Sequence, residues 1–256
     1  MTLLEVRGLT KNFGGLAAVS ALDFDVNEGE ILGIIGPNGA GKSTVFNMIC
    51  GSITPTSGTL IFRGENITGL PPHQIAKRGI TRLFQGNVLF PESTVITNVL
   101  IGLHLHTNLS LFGFLFGSAG ARRREEKLYS EAIEILKFVG LANSANELAK
   151  SQPHGKQRLL GLAIALASKP KLLLLDEPVT GMHAEEVANM VNMIKLLRDE
   201  KDITCIVVEH NMKVVMNLCD RIVTLCYGKK IADCSPKETA ENPAVCEAYL
   251  GVEDAT

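Results

Sequence analysis

Apolar and polar residues alternate along Leu22, Asp23, Phe24, Asp25 and Val26, the period-two pattern of a strand with one wet face, and Asn27-Glu28-Gly29 then turns the chain. A different pattern follows. Ile31–Ile35 is a short uninterrupted apolar run, as a strand covered on both faces requires, and it opens into a glycine-rich loop and a helical pattern. Leu172–Leu175 and Ile203–Val208 are two more such runs. Between them Val187, Met190, Val191, Ile194 and Leu197 recur at helical spacing, so strand, helix and strand follow in order and predict a parallel α/β core. Thr59–Arg63, Ile80–Phe84 and Arg221–Cys226 predict further strands, the last followed by a Tyr227-Gly228 turn. Near the end, Ser235-Pro236-Lys237-Glu238 supplies an N-cap, a proline at the first helical position and a capping-box acid, which predicts a short helix.

Thr94 to Asn146 breaks this rhythm. Two apolar helical segments flank a Gly/Ser-containing hydrophobic patch and the run Arg122-Arg123-Arg124-Glu125-Glu126, which together predict a helical insertion in the α/β core. The arginines, with two glutamates beside them, have the pattern of a solvated helix start. The most apolar stretch, Leu109 to Ala119, has eleven residues against the roughly 20 needed to cross a bilayer, so membrane contact is expected only through a partner.

At 256 residues the chain lies between one domain and two, and with hydrophobic residues at 46% and charged residues at 20% it has neither a disordered nor a fibrous composition. Twenty-five Lys+Arg against 27 Asp+Glu give a net charge of -2, so no global basic field exists and nucleic acid is not expected as a partner. Met1 to Thr10 contains Glu5 and Arg7 and lacks the basic-then-apolar order of a signal peptide, from which a cytosolic location is expected. The six cysteines form no C-x-x-C pair, so neither disulfide nor structural metal is expected.

Chemistry concentrates at the predicted strand ends. Gly36-Pro37-Asn38-Gly39-Ala40-Gly41-Lys42-Ser43-Thr44 fits G-x-x-x-x-G-K-[ST] and lies after an apolar strand and before a helix, where the phosphate-binding mechanism needs it. Its glycines let the backbone curl so that several N–H groups meet one phosphate; Lys42 reaches the outer phosphates and the Ser43 hydroxyl can ligate magnesium. Leu172–Leu175 runs into Asp176-Glu177, two adjacent acids that are costly at a buried strand end unless used. Asp176 is the metal-side candidate, and Glu177 the candidate to orient or deprotonate the attacking water. His210 follows the Ile203–Val208 run, at the carboxyl edge where open α/β sheets bind ligands. Gln85, after Ile80–Phe84, is a candidate to ligate magnesium or contact the water. His104 and His106, two residues apart in the helical region, have the pattern of solvated positions.

Taken together, the loop Gly36 to Thr44, Gln85, Gly155-Lys156-Gln157-Arg158 ahead of a helical pattern, Leu172 to Glu177 and His210 resemble the ATP-binding subunit of an ABC transporter over nearly the whole chain. The resemblance implies a P-loop NTPase core with a mostly parallel sheet, an antiparallel β subdomain and a helical insertion subdomain. Within one ATP-binding domain over residues 1–256, the core and β subdomain would take 1–93 and 147–256, and the helical subdomain 94–146. It implies ATP and magnesium as cofactors, with Phe13 stacking on adenine and Gly155 reaching a partner's ATP. Transmembrane permease subunits would dock on the helical subdomain, a second ATPase would complete a homodimer or heterodimer, and a solute-binding protein would act indirectly. The place of action would be the cytoplasmic side of the inner membrane.

Phe84 to Glu92, Glu209 to Met216 and Asn242 to Gly251 are similar to the high-affinity branched-chain amino-acid importers, while urea or amide importers and related exporters share much of the pattern. A soluble ABC protein would be expected to fuse two ATPase halves or carry coiled coils, and a P-loop kinase would not need Gln85, the Gly155 run or His210. The sequence departs from the usual L-S-G-G-Q signature at Gln152-Pro153-His154-Gly155-Lys156, where Pro153 offers neither hydroxyl nor N–H. It also carries Gly181-Met182-His183 after the Asp176-Glu177 pair. Two readings follow: one composite ATP site is slower, or backbone geometry at Gly155 compensates.

Overall fold

The computed structural model describes residues 1–83, 89–104 and 119–250. Phe84, Gln85, His106 and most of Leu109–Ala119 therefore lie outside the described residues. Strands β1 (Thr2–Phe13), β2 (Leu16–Asn27), β4 (Ser57–Phe62) and β5 (Glu65–Asn66) form an antiparallel sheet in the order β2-β1-β4-β5. A second sheet has the order β10-β9-β3-β8-β7-β6, with β3 (Ile31–Ile35), β6 (Ile80–Leu83), β7 (Leu172–Asp176), β8 (Thr204–Val208) and β9 (Arg221–Cys226) parallel and β10 (Lys229–Cys234) antiparallel at one edge.

Every residue of β3, β7 and β8 is buried, which is why these strands read as nearly continuous apolar runs, Thr204 and the terminal Asp176 being the polar members. One face of the parallel sheet packs against α1 (Lys42–Ile49), α2 (Pro72–Lys77) and the antiparallel sheet, around Phe46, Leu60, Phe62 and Ile75. Its other face is covered by α6 (Ala184–Lys201) and α7 (Met212–Leu218) through Met190, Ile194, Leu197 and Val215. The expected helical insertion contributes α3 (Val95–His104) and α4 (Ala119–Phe138), which pack with α5 (His154–Ala167) around Val99, Ala132, Leu136 and Ala163. Arg123 and Arg124 on α4 are exposed, as a solvated helix start requires. Two short helices, α8 (Pro236–Glu241) and α9 (Pro243–Leu250), close the described chain. At the start of α8, Ser235 N–H donates to Glu238 Oε2 at 2.9 Å and Glu238 N–H donates to Ser235 Oγ at 3.4 Å, the reciprocal capping expected from the sequence.

The parallel register places the ends of β3, β7 and β8 side by side, so Gly36, Asp176, Glu177, Glu209 and His210 emerge along one edge.

Candidate nucleotide site

The loop after β3 folds as it does because its glycines take positive-φ conformations that other residues rarely adopt. Gly36, Gly39 and Gly41 have φ of 148°, 79° and 101°. A Cβ on Gly36 would fall onto the carbonyl of Leu225 in β9, so the loop leaves the sheet only with glycine there. No side chain caps α1, whose N-cap is Gly41, and its first N–H groups are presented to the loop as in anion-binding helix starts. Lys42 is buried, and its Nζ donates to the carbonyls of Gly36 at 2.6 Å and Pro37 at 2.9 Å, so the ammonium already points along the loop. Burial pulls the Lys42 ammonium below its ordinary pKa, while Glu177 and Asp176 act in the opposite sense. Asn38 and Ser43 are exposed, Pro37 and Thr44 half-buried, and Ala40 buried.

Asp176 is buried at the end of β7 and pairs with Arg82 of β6, whose Nη2 lies 2.5 Å from Asp176 Oδ2. Arg82 Nη1 also donates to Asn47 Oδ1 of α1 at 2.5 Å, and its guanidinium lies 5.7 Å from the Phe46 ring centroid. It thus joins the loop helix to the acid. Glu177 sits in the left-handed region at φ 48°, with its N–H donating to Val208 O at 2.9 Å. Its Oε1 lies 2.6 Å from His210 Nε2, and its Oε2 accepts from Thr180 Oγ1 at 3.2 Å. Arg158 of α5 is buried with both Glu177 and Glu209 in its electrostatic surroundings.

Phe13 ends β1, is 48% exposed and has Lys11 Nζ 5.2 Å from its ring centroid. The β1–β2 hairpin that carries it meets the loop, since a Cβ on Gly41 would press on the carbonyl of Ala18. Gly155, second residue of α5, is buried, and the space where its Cβ would stand is taken by the carboxylate of Glu186. His154 borders Gly181, so the signature-like run and the loop after Glu177 lie together in one chain. Gln152 is turned inward, its Nε2 donating to Glu147 Oε2 at 2.7 Å. Gln85 lies outside the described residues.

Sequence reasoning missed Arg82, Glu209 and Tyr249 as members of this site. Tyr249 of α9 accepts the Gly36 N–H at its hydroxyl, 2.9 Å away, and burial raises the pKa of that hydroxyl. The available signals were an arginine inside a strand run, an acid beside His210, and the place of Tyr249 in the Asn242 to Gly251 segment. Ser43 hydroxyl and Asp176 carboxylate are hard oxygen donors of the kind magnesium takes in company with substrate phosphates, so the donor set fits that ion. Among the described residues, no cluster of three or more His, Cys, Asp or Glu offers an all-protein metal cage.

The sequence profile described as ABC transporter matches residues 19–180. The high-affinity branched-chain amino acid transport ATP-binding protein BraF of Pseudomonas aeruginosa is 41% identical over 97% of this chain and 98% of its own. The chain belongs to the ABC transporter family. LivG of Escherichia coli K12, with the same description, is 39% identical over 97% of this chain and 98% of its own. Among solved structures, the ADP conformation of an ATP-binding cassette of an ABC transporter matches with a TM-score of 0.86 and 31% identity, covering 98% of this chain and 99% of that one. A dimeric post-hydrolysis cassette bound to ADP and Pi matches with a TM-score of 0.76 and 26% identity over 91% and 99%.

As a member of that family the chain is a nucleotide-binding ATPase with the cassette fold. The family match takes in the loop at Gly36 to Thr44, Gly155 and the Asp176-Glu177 pair; Phe13, Glu209, His210 and Tyr249 lie beyond it. No helix among the described residues is long and apolar enough to cross a membrane.

Proposed function

We propose that the chain is the ATP-hydrolysing motor subunit of an importer for branched-chain amino acids, working on the cytoplasmic face of the inner membrane through transmembrane permease subunits. The observation that carries the chemistry is the Glu177–His210 contact at 2.6 Å on the same sheet edge as Lys42. In this reading the Gly36 to Thr44 amides and Lys42 hold the phosphates, and Phe13 stacks on adenine. Magnesium, held by Ser43, Asp176 and Gln85, would neutralise phosphate charge. Glu177 orients and deprotonates the attacking water, and His210, on the other side of that carboxylate, holds it in place and meets the terminal phosphate. Gly155 faces the nucleotide of a second ATPase, identical or different, and a solute-binding protein delivers the amino acid.

The importer assignment leans on the relatives at 39–41% identity over nearly the full chain. For domain organisation, residues 94–146 are the helical subdomain that meets the permease, and 1–93 and 147–256 the core with its β subdomain. The bridge between Thr94 and Leu148 supports those bounds, because the insertion leaves and rejoins the core at one place. At the signature-like run, the inward Gln152 is a packing residue, which leaves Pro153 as the donor lost to the partner's site.

In the assembled transporter, Lys42→Ala abolishes ATP-dependent uptake of labelled leucine, isoleucine or valine while the solute-binding protein keeps its affinity. Unchanged uptake removes the motor role. Uptake of urea in place of the amino acids retains the motor and refutes the substrate class.

A further inference from the structure

We propose that Glu209 is a positioning residue for hydrolysis, its carboxylate clamping together the two loops that carry Glu177 and His210. This rests on the reading of Glu177 and His210 given above and deepens it.

Glu209 is 2% exposed at the exit of β8, a place where a carboxylate is costly unless its oxygens are occupied. They are. Its Oε1 accepts the N–H of Val179, two residues beyond Glu177, at 3.0 Å. Its Oε2 accepts the N–H of His210 at 3.2 Å and, at 3.5 Å, that of Asn211. One oxygen thus serves the loop after β7 and the other the loop after β8. Burial raises the carboxyl's pKa, and the three N–H groups oppose that rise.

Glu177 needs such a clamp. Its left-handed backbone is a conformation that L residues hold only when their surroundings impose it. The surroundings here are consecutive residues of one segment: the Val208 carbonyl takes the Glu177 N–H, the Glu209 carboxylate takes the Val179 N–H, and the His210 ring meets Glu177 Oε1. Glu177 is therefore held on both sides by the exit of β8. Only a carboxylate can do this, since an amide has one acceptor oxygen and would turn an NH2 donor toward one of the two loops. Released on either side, Glu177 or His210 moves relative to the water they orient, while the phosphate-binding loop, built on β3 and α1, is untouched.

The test uses the full chain assembled with its partner subunits. Glu209→Gln is expected to lower kcat by about 10- to 100-fold, the scale of a misplaced catalytic group. The dissociation constant for a fluorescent ATP analogue should stay within about twofold, as for a group that acts only on the chemical step. In a His210→Ala background the same substitution should cost less than it does alone. Glu209→Asp, which keeps both acceptor oxygens, should recover part of the rate. A kcat for Glu209→Gln close to that of the parent overturns the proposal, and so does affinity lost in proportion to kcat. Should Glu209→Gln fail to fold, Glu209→Asp decides alone: reduced kcat at unchanged affinity upholds the clamp, and unchanged kcat or a parallel loss of affinity overturns it. Glu177→Gln, measured alongside, separates the two readings, because turnover surviving that change removes the role of Glu177 itself.

Discussion

Replacing Arg82 by methionine keeps an unbranched apolar stem and deletes the cation that faces Asp176. In the native chain the two side chains are 9% and 10% exposed and 2.5 Å apart. The variant leaves a buried carboxylate without this partner, one residue from Glu177, and breaking such a pair from one side costs about 3–5 kcal/mol. For a chain of this size each kcal/mol moves the melting temperature by about 2–4 °C, so a fall of about 6–20 °C is expected. The bonds from Arg82 to Asn47 and its contact with Phe46 go with it, and both lie on the helix of the phosphate loop. The informative comparison is calorimetric unfolding with and without magnesium–ADP. A ligand that binds only the folded state stabilises it by RT ln(1 + [L]/Kd), and on the proposed reading of Asp176 as a magnesium ligand a divalent cation there would substitute for the missing guanidinium. The gain in melting temperature from magnesium–ADP should therefore be larger in Arg82→Met than in the parent, and ADP with a chelator should not reproduce the excess. A variant that melts within about 2 °C of the parent, at most about 1 kcal/mol on this scale, or that gains no more from magnesium–ADP, refutes the neutralisation of Asp176 by Arg82.

Tyr249→Phe keeps the ring and removes only the acceptor for the Gly36 N–H; an unsatisfied donor there costs about 1–3 kcal/mol, read as a lower melting temperature and faster hydrogen exchange at the Gly36 amide. Unchanged exchange at Gly36 would show that the hydroxyl does not hold it. Burial pushes the thiols of Cys205 and Cys219 up to about 12, so both stay protonated and unreactive in the native chain at pH 8, and only as the pH approaches that value does their thiolate accumulate. A maleimide at pH 8 should label the exposed Cys246 first, and mass spectrometry finding Cys205 or Cys219 modified at the same rate would contradict the packing around β8.

Where the chain could be read directly, the physics was local. Apart from Thr204 and the terminal Asp176, β3, β7 and β8 carry no polar side chain because both faces of each strand are covered, and the glycines at 36, 39 and 41 mark a loop whose positive φ values other residues rarely adopt. The cap at Ser235 is likewise a matter of four successive residues. Strand β1 escaped notice because its pairing with β2 shifts register repeatedly, between Val6 and Leu9 around a left-handed Gly8 and also between Thr2 and Leu4. Leu3 and Leu4 are then buried in succession and the alternation is lost.

The candidate site divides along the same line. Lys42, Ser43, Asp176 and Glu177 belong to short motifs whose chemistry follows from residue type and from a strand ending just before them. Arg82 on Asp176 spans 94 positions and Tyr249 on Gly36 spans 213, so no window of sequence contains either pair. Glu209 stands in the Glu209 to Met216 segment with nothing local to mark its role, which β7 and β8 supply by lying parallel and bringing Val179 to its carboxylate. Composition and order in the chain determined which groups could bind phosphate and which strands would be buried, because those depend on neighbours a few residues away. Which buried charge meets which partner was decided only by tertiary structure, since a carboxylate removed from water takes its donors from whatever strand the sheet places alongside it.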